Sequence, residues 1–188
     1  MKKLLPLLSV LFLILGCSTE TDTLQKRGDL YYEINSDKPF SGLFLDKYES
    51  GQNKSKGYVK DGKNNGLWTH WYENGQKGEE TNYKDGKQDG FQTIWFESGQ
   101  RKKEQVFKDG KKNGKETIWY EINPLLKYLN NDSNDVVLKS SEENYKDDKL
   151  EGLQTSWYKN GQMKYIKTYK DGKWISSKRW NEDGSVDE

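Results

Sequence analysis

The feature that most constrains this chain is a period. Asn-Gly and Ser-Gly pairs put turn glycines at 51, 75 and 99, Asp-Gly pairs put them at 62, 86 and 110, and both series advance by 24 residues. Self-similarity at a fixed spacing of this size marks a repeat architecture, in which one small unit stacks on copies of itself. The unit is plainest in Gly66-Leu67-Trp68-Thr69-His70-Trp71-Tyr72-Glu73-Asn74-Gly75-Gln76, which is copied position by position from Gly90 as Phe91-Gln92-Thr93-Ile94-Trp95-Phe96-Glu97-Ser98-Gly99-Gln100. Full copies start near Gly42, Gly66, Gly90, Gly114 and Gly152, and a partial copy carries Trp174 and Trp180.

Within a unit the first run alternates as a strand does. Leu67, Thr69 and Trp71 are expected on one side, with Trp68, His70 and Tyr72 on the other. The Asn-Gly pair then signals a hairpin, expected as a type I′ turn because both central residues of that turn take positive φ. The returning strand reaches an aromatic or Val at a fixed column (Val59, Tyr83, Phe107, Tyr145, Tyr169), and Asp-Gly reverses the chain again. Connections this short leave no room for parallel crossovers. The expected fold is all-β: a single-layer antiparallel β-meander of hairpin repeats, with about ten to twelve strands at two per unit.

Composition bears on whether such a chain is ordered. Apolar residues make up only 31%, a value that by itself suggests disorder, but aromatics reach 13% and recur in register with the glycines. A repeat fold needs little core per unit because each unit buries its apolar groups on its neighbours. Net charge is +1, from 31 basic and 30 acidic side chains interleaved along the strands. That distribution offers no basic stripe, so no nucleic-acid partner is expected.

The N-terminus reads differently. Lys2 and Lys3 precede an apolar run from Leu4 to Leu15, broken only by Pro6 and Ser9. About twelve residues is too short for a stable membrane span and suits an export signal, placed at residues 1–16. Ile14-Leu15-Gly16-Cys17 resembles the lipobox of bacterial lipoproteins, and that resemblance implies cleavage before Cys17 and diacylation of its thiol. Cys17 is the only cysteine, and a lone free thiol is awkward in an exported protein. Each buried acyl methylene contributes about 0.8 kcal/mol, so two or three chains make a stable membrane anchor. Ser18 after the cysteine implies, by the same resemblance, the outer membrane in a Gram-negative envelope; in a Gram-positive cell the anchor would sit in the outer leaflet of the one membrane. Residues 17–27 read as the lipidated cysteine and a polar, unpatterned tether, and 28–188 as the repeat domain.

One copy breaks the period. A turn glycine is due at 123, yet the chain reads Glu121-Ile122-Asn123-Pro124, and the next one is Gly161, two periods plus 14 residues after Gly99. The extra residues, about 122–138, fall at a hairpin tip. Asn123-Pro124 suits a helix start, which would put Leu125, Tyr128 and Leu129 on one side of a helical turn. Insertions in repeat proteins map to loops on one face, often the binding face; a neutral surface loop is the alternative.

Chemistry-bearing clusters are scarce. His70 is the only histidine, which leaves no His/Cys metal site within one chain and one candidate base for any triad. Its counterparts are Ile94, Ile118 and Ser156, so it reads as a tolerated strand residue. Asp61, Asp85, Asp109 and Asp171 are single acids before glycine, explained by turn chemistry and not by a calcium array. No catalytic residue, metal or cofactor is expected. The pattern that does stand out is aromatic: Trp71, Trp95, Trp119 and Trp157 form one column, with Tyr72, Phe96, Tyr120 and Tyr158 beside it on the opposite face. Equivalent strands lie two apart, so each column repeats at roughly 10 Å. Such a ladder suits stacking on successive sugars of a cell-wall glycan, or else edge-to-face packing as the core itself.

Gly-x-Trp/x-x-x-Trp-Tyr-Glu-Asn-Gly-Gln followed by Tyr-Lys-Asp-Gly-Lys-x-x-Gly closely resembles the bacterial variant of the MORN repeat, over about residues 28–180. The resemblance implies a β-hairpin scaffold. It also implies a role as antitoxin of a toxin–antitoxin system, a label many such chains carry. The reading that joins these parts is a non-catalytic, lipid-anchored scaffold in the cell envelope that binds a protein or glycan partner; the alternative is an antitoxin or immunity protein that neutralises a toxin by occupying it.

Overall fold

The computed structural model describes residues 20–123 and 138–187. Among these there is no helix, and so none long and apolar enough to cross a membrane. The strands are β1 (Glu20–Thr21), β2 (Gln25–Arg27), β3 (Leu30–Tyr32), β4 (Gly42–Lys47), β5 (Asn53–Lys60), β6 (Lys63–Trp71), β7 (Lys77–Lys84), β8 (Lys87–Trp95), β9 (Arg101–Lys108), β10 (Lys111–Trp119), β11 (Lys139–Lys146), β12 (Lys149–Leu150), β13 (Gly152–Trp157), β14 (Met163–Lys170) and β15 (Lys173–Arg179). From β4 to β15 they pair antiparallel in sequence order, with the short β12 beside β11, in one 13-stranded sheet. The expected meander is therefore what the chain forms. The N-terminal margin departs from it: β1 lies parallel to β4, and β2 and β3 make a separate hairpin. Residues 20–27, which composition gave as an unpatterned tether, thus hold two short strands, because Leu24 packs on the core cluster and carries its neighbours with it.

The two kinds of turn divide the work in the opposite way from the expectation. At the Asp-Gly ends, Asp61, Asp85, Asp109 and Asp171 take φ of 49–51° and the glycines after them 77–85°. Two successive positive φ values are the requirement of a type I′ hairpin, and Asp tolerates the left-handed region better than most residues. At the Asn-Gly tip only Gly75 is left-handed, with φ 84°. There Gly75 N donates to Tyr72 O at 2.9 Å and Tyr72 N to Gln76 O at 2.8 Å, a longer loop closed by a left-handed glycine. Opposite each tryptophan the ladder skips one residue of the facing strand: Gly78, Lys102, Ser140 and Lys164, next to the partners of Trp71, Trp95, Trp119 and Trp157.

Both margins of the sheet are tied from one unit to the next. On the tip side Tyr48, Tyr72, Tyr120 and Tyr158 donate their phenolic hydroxyls to the carbonyls of Trp71, Trp95, Trp157 and Trp180, at 2.7, 2.9, 2.9 and 3.0 Å. On the other side the turn amides of Gly62, Gly86, Gly110, Asp148 and Gly172 donate to the carbonyls of Phe40, Asn64, Gln88, Lys112 and Leu150, at 2.8–2.9 Å. These rungs satisfy backbone groups that a bare hairpin would leave to water.

The core lies at the N-terminal end. Phe40, Val59 and Trp68 are buried together, with Leu24, Tyr31, Phe44 and Tyr83 packed against them. Trp68 stacks on Phe44 with centroids 5.7 Å apart and meets Tyr83 edge-on at 6.5 Å. Its indole N–H donates to Tyr58 O at 3.1 Å. Gly57 makes room for the ring: a Cβ there would stand 2.1 Å from Trp68 Cδ2.

Candidate functional site

Residues paired across an antiparallel ladder share a face, so the register reads out each face row by row. One row passes through Phe44, Gly57, Trp68, Thr81, Gln92, Gln105, Glu116, Glu143, Gln154 and Lys167; Gly57 and Trp68 face each other through the contact just described, and the other pairs but one are ladder partners. Glu143 and Gln154 are joined by their side chains and are not themselves a ladder pair. The row begins aromatic and becomes amide and then charged. Gln105 is fully buried, and Thr81, Gln92 and Glu116 are nearly so. Glu116 accepts from Lys112 at 2.9 Å and pairs with Lys103 at 3.2 Å, and Lys112 also lies 4.4 Å from the Tyr145 ring centroid. Tyr145 and Gln154 both donate to Glu143. Burial, reinforced by that carboxylate, pushes the Tyr145 phenol well above its usual range. Glu116, Tyr145, Gln154, Thr81 and Gln92 are each bonded to another side chain, while Gln105 donates only to Val106 O at 3.2 Å, so the row reads as a polar core.

A second row on the same face contains Ser55, His70 and Glu79 in succession. Ser55 Oγ and His70 Nδ1 are 2.7 Å apart. Ser55 is buried, and the Glu79 carboxylate is engaged by Thr81 at 2.7 Å and Gln92 at 2.8 Å. A nucleophile must reach substrate and its base must be oriented by a third group; a buried serine beside a carboxylate turned to its other neighbours meets neither need. Among the described residues no group of three or more His, Cys, Asp or Glu side chains comes together to hold a metal.

Of the aromatic columns, Trp71, Trp95 and Trp157 are half-buried, and Trp119 is buried at 8% exposure. Lys77 stands 5.8 Å from the Trp95 ring centroid while pairing with Glu80 at 2.6 Å. Tyr72, Tyr120 and Tyr158 spend their hydroxyls on the rungs above. Phe96 has none to give, and Gln100 compensates: its amide bonds both the carbonyl and the N–H of Ile122, at 2.6 and 3.0 Å. A hollow of about 310 Å³ beside Trp71 is lined by Gly51, Gln52, Asn53 and Gly75. Cys17 and the insertion residues Leu125, Tyr128 and Leu129 lie outside the described residues.

Sequence reasoning passed over another column. Leu67, Phe91 and Leu153 hold the same place in their units, one residue after the bulge glycine, and are 50%, 65% and 53% exposed. Leu43, half-buried, and Lys115 hold that place in the other two units. The cross-strand neighbours of Leu67, Phe91 and Leu153 are Asn82, Val106 and Thr168. Asn82 Nδ2 donates to Phe91 O at 3.0 Å, which fixes that strand from beside. The signal was available: an apolar residue recurring at one position of the period, on the face opposite Trp68 and Gln92.

With that geometry in view, comparison with known families becomes informative. Two stretches, 64–85 and 150–171, match the family described as MORN repeat variant. Each MORN-like stretch spans the end of one strand, a tip and the returning strand. Between them the strands from Gly90 and Gly114 keep the same bulges and the same turn-amide rungs, so the repeat extends structurally across the sheet. No curated protein matches the chain. The matched family describes a repeat scaffold, and a scaffold carries function only in the surfaces placed on it.

Proposed function

We propose that this chain is a non-catalytic, membrane-anchored repeat lipoprotein whose open sheet binds a protein partner in the bacterial envelope. The observation that carries the binding reading is the column of Leu67, Phe91 and Leu153, each half exposed or more on a sheet face that no second layer covers among the described residues. Single exposed apolar side chains are ordinary, but Leu67 and Phe91 recur at one place two strands apart, and Leu153 repeats it beyond the Lys115 unit, a recurrence that supports an interaction surface. Anchoring rests on the Ile14-Leu15-Gly16-Cys17 motif behind an apolar run.

A photo-crosslinking residue placed at position 91 of the full-length chain in living cells tests the surface. A discrete crosslinked species is expected, and it should vanish when Leu67 and Leu153 become Asp while the sheet signal in circular dichroism persists. A crosslink that survives those changes, or none at all, overturns the assignment. Cys17→Ala should move the chain from the membrane fraction to the soluble one, and a variant that still pellets with membranes refutes the anchor.

A further inference from the structure

The sheet ends on an open edge. β15 pairs with β14 on one side only, all seven of its residues are exposed, and Trp174 and Ile175 are exposed by 60% and 53%. An edge strand presents a row of unpaired backbone donors and acceptors, and proteins usually blunt it with bulges or charge. The strands that begin the earlier units carry a left-handed glycine, at Gly66, Gly90, Gly114 and Gly152. β15 has no glycine, and its register with β14 skips only Ile175. Apart from that one irregularity at Ile175 it is an exposed strand that lies where pairing is possible.

Its charge is one-sided. Lys173, Lys178 and Arg179 are basic, and the strand contains no acid. Lys77, Arg101 and Lys139 each pair with the Glu three residues on. Among the described residues no ion pair holds Lys173, Lys178 or Arg179, and the Lys178 ammonium rests 5.1 Å from the Trp180 ring centroid. The chain itself shows what fits this edge. Its tail turns back so that Val186 bridges Trp180 antiparallel, and Asp187 N donates to Arg179 O at 3.1 Å. An acidic segment thus occupies the last rung and leaves residues 173–178 open.

We propose that this open edge takes up an extended acidic segment of another protein as an added antiparallel strand. Main-chain bonds to an edge supply affinity and alternate side chains supply choice. The segment that fits has an acid near each end, opposite Lys173 and Lys178, with small or β-branched residues between, opposite Ile175 to Ser177. A second copy is the poorer occupant: β15 paired with itself about Ser176 would set Lys173 against Arg179, and like charges directly opposite are destabilising. The inference is separate from the exposed column, since the edge and the face can be filled independently.

The test uses the full-length chain and two eight-residue peptides of alternating Val and Thr, one with Glu and one with Lys at its ends. Hydrogen exchange should slow over residues 173–178 with the Glu peptide and not with the Lys peptide. The charge-reversed variant K173E/K178E/R179E should lose about tenfold in affinity for the Glu peptide and gain for the Lys peptide, the size expected of a few cross-strand charge pairs. Equal binding of both peptides, protection elsewhere in the sheet, or no binding of either overturns the proposal. So does concentration-dependent dimerisation with residues 173–178 protected in the absence of peptide, which would make a second copy the occupant. The crosslink at position 91 reads the other surface, so either result stands without the other.

Discussion

The two halves of one cross-strand row solve the same packing problem with different chemistry. At the N-terminal end Phe44 and Trp68 fill the row with aromatic rings, and Gly57 is small enough to let the indole lie down on the strand. Three strands further on, Gln105 and Glu116 occupy the equivalent positions and are buried as deeply. The aromatic end is held by removal of apolar area from water, which is insensitive to salt and acid. The polar end depends on every amide and carboxylate finding a partner in a low-dielectric setting, where a missed partner is costly. Identical backbone geometry therefore gives two regions that ought to fail under different stresses.

Five measurements press on that contrast. The largest effect is expected from Trp68→Ala, about 3–5 kcal/mol in urea unfolding, with loss concentrated in β4 to β7; an even loss along the sheet would erase the distinction. Glu116→Ala leaves Lys103 and Lys112 facing each other across the space and should cost about 2 kcal/mol, a loss that added salt reduces by screening the two ammoniums. Tyr48→Phe and Tyr158→Phe each remove one tip-side rung, one at either end, and should cost the same amount, about 1 kcal/mol; unequal losses would mean that the rungs share the asymmetry of the row. Gln105→Leu should be neutral or stabilising by up to about 1 kcal/mol, because the buried Gln105 Oε1 has no hydrogen-bond partner and its replacement removes that penalty.

Acid supplies the smallest and most selective effect. Burial pushes the Glu142 carboxyl up, but the ammoniums of Lys115 and Lys139, at 2.6 and 2.7 Å, outweigh it and hold the group below its ordinary value. A carboxyl lowered on folding contributes stability above its unfolded pKa and loses it as pH falls through the folded one. Protection against hydrogen exchange in β10 and β11, taken relative to the intrinsic rate at each pH, should therefore fall as pH drops below the usual carboxylate range, while β4 to β6 change less. Glu142→Gln should flatten that dependence.

Much of the fold was legible in the chain because glycine and aspartate punctuate it at a constant interval, and turn chemistry is a local property of a few residues. What escaped was whatever depends on neighbouring strands. Trp68 and Trp71 look equivalent in sequence, yet Trp71 faces Lys77 across the skipped Gly78 while Trp68 lies over Gly57. Gln92, Gln105 and Glu116 read as solvated strand positions, since nothing local reveals that flanking side chains will close over them. Thr21 to Arg27 look like a plain linker until Leu24 finds the cluster around Phe40. Leu67, Phe91 and Leu153 were in plain view at one phase of the period and were eclipsed by the tryptophans beside them.

The rungs on the two margins join each hairpin to its immediate neighbour, at equivalent atoms in all but the Phe96 unit, where Gln100 takes the place of the tyrosine hydroxyl. A gene that loses or duplicates one interior unit would thus meet matching docking points on either side of the splice. The product keeps its cross-section and alters only its length, so reach away from an attachment point is a quantity that recombination can adjust in fixed steps without redesigning the joints.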